Sequence, residues 1–81
     1  MNIKQFFEYI PRGEKMAVRE KIANKLDVGE SAIGHWINGS RKVAVNHMYK
    51  LQKITKEISK NYNINGYVTA KESRPDIFQS E

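Results

Sequence analysis

The sequence predicts an all-α fold, a small helix-turn-helix bundle of four to five helices. Three observations predict it. Apolar residues recur at helical spacing along four stretches, helix-stopping residues separate those stretches, and strand-like alternation is confined to one short run near the C-terminal end. At 81 residues the chain has room for one small core. Residues 1–60 form the expected helical domain, and residues 61–81 a tail that packs on it or contributes to dimerisation.

The first helix is carried by Ile3, Phe6, Phe7 and Ile10, and Pro11 with Gly13 ends it. A second runs from about Glu14 or Met16 to Leu26, with Val18, Ile22 and Leu26 inward and Ala23 beside them. The third lies in GESAIGHWINGSRK, with Ile33, Trp36 and Ile37 on its apolar side, and Asn38-Gly39 closes it with a dipeptide suited to left-handed geometry. The fourth extends from about Asn46, its expected N-cap, to Ser59, and turns His47, Met48, Leu51, Ile54 and Ile58 inward. The joint Leu26-Asp27-Val28-Gly29 is too short for antiparallel neighbours, so helices two and three must cross steeply. Ala23 is then small to admit helix three, and Val28, Ile33 and Trp36 form the wedge that fixes the crossing.

The tail is expected to be ordered but mostly irregular, folding back on the helices. A competing reading makes YNINGYV, residues 62 to 68, a short hairpin around Asn65-Gly66. After it, Thr69-x-x-Glu72 is a capping-box pattern that starts one helical turn before Pro75, and Ile77 with Phe78 is expected to dock as an apolar pair.

The net charge is +5, and it is unevenly placed. Residues 41 to 60 hold Arg41, Lys42, Lys50, Lys53, Lys56 and Lys60 against Glu57 alone, whereas 61 to 81 are nearly balanced. Such a patch attracts polyanions, nucleic acid first and anionic membrane second, although an ordinary solvated lysine face fits the charge alone. The absence of Cys excludes disulfides and thiolate metal sites and agrees with a reducing cytoplasm. No apolar run is long enough for a membrane span or a signal peptide, so the expected location is cytoplasmic, with no membrane partner. Catalysis lacks a constellation. His35 and His47 lie on different predicted helices, no phosphate-binding or zinc-binding motif occurs, and neither a cofactor nor a small-molecule substrate is expected.

Ser31, Gly34, His35 and Asn38 share one face of helix three, opposite its apolar side. Solubility alone would use Lys and Glu there; an uncharged, small, polar stripe suits the edges of base pairs. Asn38 can bond an adenine bidentately, Ser31 can donate or accept, and His35 can donate to guanine. Gly34 costs a helix roughly 1 kcal/mol relative to Ala, which close approach of the backbone to a ligand, or packing against helix four, would explain. Arg41 and Lys42 follow directly, and Arg19 lies near the start of helix two; all three are candidate phosphate contacts. Arg12 and Lys15 can also reach a DNA backbone, while Lys50, Lys53 and Lys56 fit a solvated face better.

The run REKIANKLDVGESAIGHWINGSRKV, residues 19 to 43, resembles the helix-turn-helix of phage Cro-type and repressor-type regulators, and VTAKESRPDIF, 68 to 78, resembles the ending of Cro-like proteins of the YdaS type. The resemblance implies a lambda-repressor-like fold in which Glu30, Ser31, Gly34, His35 and Asn38 face the major groove. Glu30 there would accept from a cytosine amino group, or simply place a favourable charge at the helix N-terminus. Three departures stand out: Asp27 where such proteins commonly have Gly, Gly29 where they often have a capping Ser or Thr, and extra length at 56 to 67. The expected function is a sequence-specific regulator of transcription, a repressor that binds a two-fold operator in double-stranded DNA as a homodimer. The competing reading is an antitoxin or adaptor whose main partner is another protein. Exposed apolar anchors would favour it, and Tyr49, Tyr62, Tyr67 and Phe78 are the candidates.

Overall fold

The computed structural model describes residues 1–78, which form six α-helices and no strand. They are α1 (Ile3–Glu8), α2 (Lys15–Leu26), α3 (Glu30–Asn38), α4 (Val45–Tyr62), α5 (Ala70–Ser73) and α6 (Pro75–Phe78), with a 3₁₀ turn at Arg12–Glu14. The all-α expectation holds, with two four-residue helices in the tail beyond the four predicted from periodicity. No helix is long and apolar enough to cross a membrane.

Local chemistry accounts for most of the boundaries. Asn2 caps α1: its Oδ1 accepts from the Gln5 amide at 2.8 Å, while the Gln5 side chain accepts from the Asn2 amide at 2.9 Å. Asp27 ends α2 in the left-handed region at φ 57°, and the Val28 amide reaches back to the Ala23 carbonyl at 3.0 Å, which closes the helix and turns Val28 onto the core. Gly39 ends α3 at φ 84°, where a side chain would be strained. Asn63 repeats the Asp27 device at the end of α4, with the Ile64 amide on the Ser59 carbonyl at 2.9 Å. One boundary is corrected. Ala44, not Asn46, precedes α4, so Asn46 lies within the first turn and no side chain caps that end.

A single core takes Phe6, Ile22, Ile33, Leu51, Ile58 and Val68 fully out of solvent. Burying such aliphatic and aromatic side chains stabilises by about 1.5–3 kcal/mol each. Ala23 is buried on α2, and the Trp36 ring centroid lies 6.2 Å from that of His47 on α4.

The tail folds back on the helices as expected, without the competing hairpin and with two short helices of its own. Asn65-Gly66 does not make a hairpin, because backbone groups that would pair across one are taken up by side chains of α4. The Ser59 hydroxyl donates to the Gly66 carbonyl, the Val68 amide donates to Thr55 Oγ1 at 3.1 Å, and the Ala70 amide donates to Gln52 Oε1 at 2.8 Å. Residues 64–74 therefore run back along α4, antiparallel to it, and Val68 and Ala70 join the core. Gly66 has φ 140°, a conformation that strains any side chain, so glycine is required by the backbone; a Cβ there would also meet the Met1 methyl at 2.8 Å, a flexible tip that can move aside. Thr69 caps α5 by accepting from the Glu72 amide at 3.1 Å, as the Thr-x-x-Glu pattern predicts. The expected apolar docking of Ile77 is not seen. Ile77 is exposed, and polar contacts of Arg74 and Asp76 hold this segment instead; the Phe78 side chain lies outside the described residues.

Candidate nucleic-acid interface

The polar stripe of α3 is set by the burial of the opposite side. Ile33 is fully buried and Trp36 nearly so, which turns Glu30, Ser31 and Asn38 to solvent and leaves Gly34 and His35 half-exposed. All five predicted readers thus lie on one accessible surface. Their chemistry is more constrained than the sequence indicates. Asn38 Oδ1 accepts from the Ser40 amide at 2.9 Å and from the Ser40 hydroxyl, so the carboxamide is oriented by the loop, with its NH₂ left to donate. The Nδ1 atom of His35 is buried without a hydrogen-bond partner, so the ring can reach outward only through Nε2. Glu30 occupies the first turn of α3 behind Gly29, whose lack of a side chain leaves the helix N-terminus uncapped; a carboxylate there is favourable by charge alone.

Gly34 does not pack on α4. The nearest group to its missing Cβ is the guanidinium of Arg19, with Nη1 at 3.8 Å, an ordinary contact distance. The Arg19 guanidinium therefore lies against the middle of α3, at the stripe itself. Arg41 and Lys42 are exposed in the loop after α3, and the Arg41 amide bonds the His35 carbonyl at 3.3 Å, which keeps that loop close to the helix end. Lys42 Nζ lies 3.6 Å from Asp76 Oδ2.

Periodicity and charge counting passed over Lys4. It stands where two shallow clefts meet. One, of about 260 Å³, lies between α1, α3 and α5 and includes Asn38, Gly39 and Lys42; the other, of about 170 Å³, includes Lys15, Arg19 and Ile37. Lys4 thus joins Arg19, Lys15 and Lys42 along one side of α3. The available signal was its place on the polar side of the Ile3, Phe6, Phe7, Ile10 pattern, which alone does not reveal which helix that side faces. Lys50, Lys53 and Lys56 are exposed on α4, with Lys56 5.7 Å from the Tyr67 ring centroid, as a solvated face allows. Arg12 is exposed in the 3₁₀ turn, outside both clefts. Among the described residues, no three His, Asp or Glu side chains gather where they could hold a metal ion.

Against protein-family models, curated proteins and solved structures, the chain has no match.

Proposed function

We propose that this chain is a sequence-specific double-stranded DNA-binding regulator of transcription, a cytoplasmic Cro-like repressor that reads a two-fold operator as a homodimer. The observation that carries the reading is the exposed uncharged polar stripe of α3, bordered by Arg19, Arg41, Lys42 and Lys4. Base edges are read by short polar groups presented on a helix, whereas the flanking cations take phosphates and set position without carrying sequence information. One recognition helix covers only a few base pairs, and two of them at half-sites about 34 Å apart multiply the discrimination.

Selection of bound duplexes from a random library tests this reading, with a recovered two-fold motif as the expected result. On that operator, Asn38→Ala or His35→Ala weakens binding by roughly 1–3 kcal/mol per half-site while sparing a scrambled duplex. Equal weakening on both duplexes reduces the stripe to a backbone-binding surface. Glutamine at Arg41 or Lys42 shallows the slope of log affinity against log salt by about 0.9 for each phosphate no longer neutralised, alike on both duplexes.

The second reading is an antitoxin or adaptor bound to another protein. Its support is the 61% exposure of Tyr49, together with 63% at Tyr9 and 75% at Met16, since aromatic and Met side chains anchor protein interfaces. Tyr62 and Tyr67 are half-buried, and Tyr62 donates to Glu14 at 3.0 Å, which leaves them weaker anchors. Salt-independent behaviour with no duplex affinity would favour this second reading.

A further inference from the structure

Lys42 is held beside a carboxylate that the chain itself supplies. Arg74 arranges this pairing. Its Nη1 donates to the Val43 carbonyl at 2.9 Å, and its Nε and Nη2 grip the two oxygens of Asp76 at 3.1 and 2.9 Å. The guanidinium thus bridges the loop after α3 to the start of α6, and a two-point fork of this kind fixes the orientation of the carboxylate. The result is that Asp76 Oδ2 lies 3.6 Å from Lys42 Nζ, at the loop that closes the recognition helix. The Arg74 hydrogen bonds, with added attraction from Arg74 and Lys42, hold the Asp76 carboxyl at about 2, so it carries its full charge at neutral pH.

A carboxylate oxygen and a phosphate oxygen make the same demand on an ammonium: a charged acceptor at close range. We propose that Asp76 occupies, beside Lys42, the place of a DNA phosphate oxygen, and so limits the affinity of the chain for DNA of any sequence. The inference rests on the DNA-binding reading. Lys42 must exchange one anion for the other on binding, and the incoming phosphate meets the Asp76 charge, which Arg74 keeps in place nearby. Because phosphates carry no sequence information, the effect falls equally on operator and random DNA.

The test is a salt series on one random-sequence duplex and one candidate operator with wild type, Asp76→Asn, Lys42→Gln and the double variant. Glu57→Gln serves as a control for net charge, since Glu57 lies twelve residues along α4 from Val45, about 18 Å at the helical rise. Asp76→Asn is expected to bind both duplexes about threefold to fivefold tighter at low salt, the size of an exposed ion pair, with the log–log slope steeper by up to about 0.9. Glu57→Gln should change little, and the gain from Asp76→Asn should vanish once Lys42 is Gln. Asp76→Ser removes the same charge with less bulk and is read in the same way should Asn disturb the loop. An Asp76→Asn variant no tighter than Glu57→Gln overturns the proposal and leaves DNA binding standing, and so does a gain that persists in full without Lys42. A wild type with no salt-dependent duplex binding overturns both.

Discussion

The first three helices and the segment from Asn63 to Phe78 reach the same core by different means. α1, α2 and α3 are held by apolar side chains at helical spacing, among them Phe6, Ile22, Ile33 and Trp36. The tail contributes buried Val68 and Ala70, but its path is fixed by polar groups: Ser59, Thr55 and Gln52 on α4 take its backbone, and Arg74 ties it to Val43. Apolar burial is non-directional and tolerates repacking. A buried side chain bonded to one backbone amide specifies a register, so the helical unit is defined by volume and the tail by pairing.

The largest expected effect breaks the volume side of this contrast. Trp36→Ala removes a nearly buried indole and should cost roughly 3–5 kcal/mol, much of a small domain's margin. A denaturation midpoint close to that of the parent would show that α3 is not held by its apolar side. Thr55→Val tests the pairing side. It keeps the shape but leaves the buried Val68 amide without its acceptor, and an unsatisfied buried donor costs about 1–3 kcal/mol. Hydrogen exchange at Val68 and Ala70 should accelerate more than at Ile22 or Ile33, and uniform acceleration would mean that the tail has no separate hold.

Gly34→Ala is expected to act in the opposite direction. The added Cβ meets Arg19 at an ordinary distance, so the gain in helix propensity, up to about 1 kcal/mol, should appear as a higher melting temperature. A lower one would place a tighter neighbour at Gly34 than Arg19. The smallest effect concerns acid. Asp76 titrates at about 2 in the folded chain against an ordinary 3.8, so its contribution to the tail is complete above 3.8 and is lost as pH falls through about 2. Carboxyl chemical shifts followed through that range should show the low midpoint, and Asp76→Asn should remove the transition near 2 from its neighbouring amides, while Glu72, whose carboxyl is lowered by its bond to the Met1 ammonium, keeps its own acid dependence.

What could be read from sequence follows the same division. The helical period of Ile3, Phe6, Phe7 and Ile10 exposed α1, and Trp36 with Ile33 identified the inner side of α3, because a repeating apolar pattern survives without knowledge of its partner. The left-handed Asp27 stands where the resembling proteins commonly have Gly, a departure that the backbone tolerates because Asp enters that region more readily than most side chains. The course of the tail was not visible. Thr55 and Ser59 are Ser/Thr residues in a lysine-rich helix, and nothing local marks them as acceptor and donor for a chain segment many residues away. The site divides too: the stripe on α3 was periodic and therefore readable, but Lys4 depends on how α1 packs beside α3, and the hold of Ser40 on Asn38 depends on loop geometry.

The attachment of the tail to α4 has a consequence for insertions and deletions. Its hydrogen bonds fall at Gly66, Val68 and Ala70, every second residue, and meet Ser59, Thr55 and Gln52, spaced by four and then three. Two extended residues advance about 6.6 Å and one turn of helix about 5.4 Å, close enough for three successive rungs to be matched before α5 begins. Removing one residue between Gly66 and Ala70 presents the wrong backbone group at every subsequent rung, whereas removing two shifts the ladder by a whole step. The tail is thereby expected to be more sensitive to the parity of a length change than to its size.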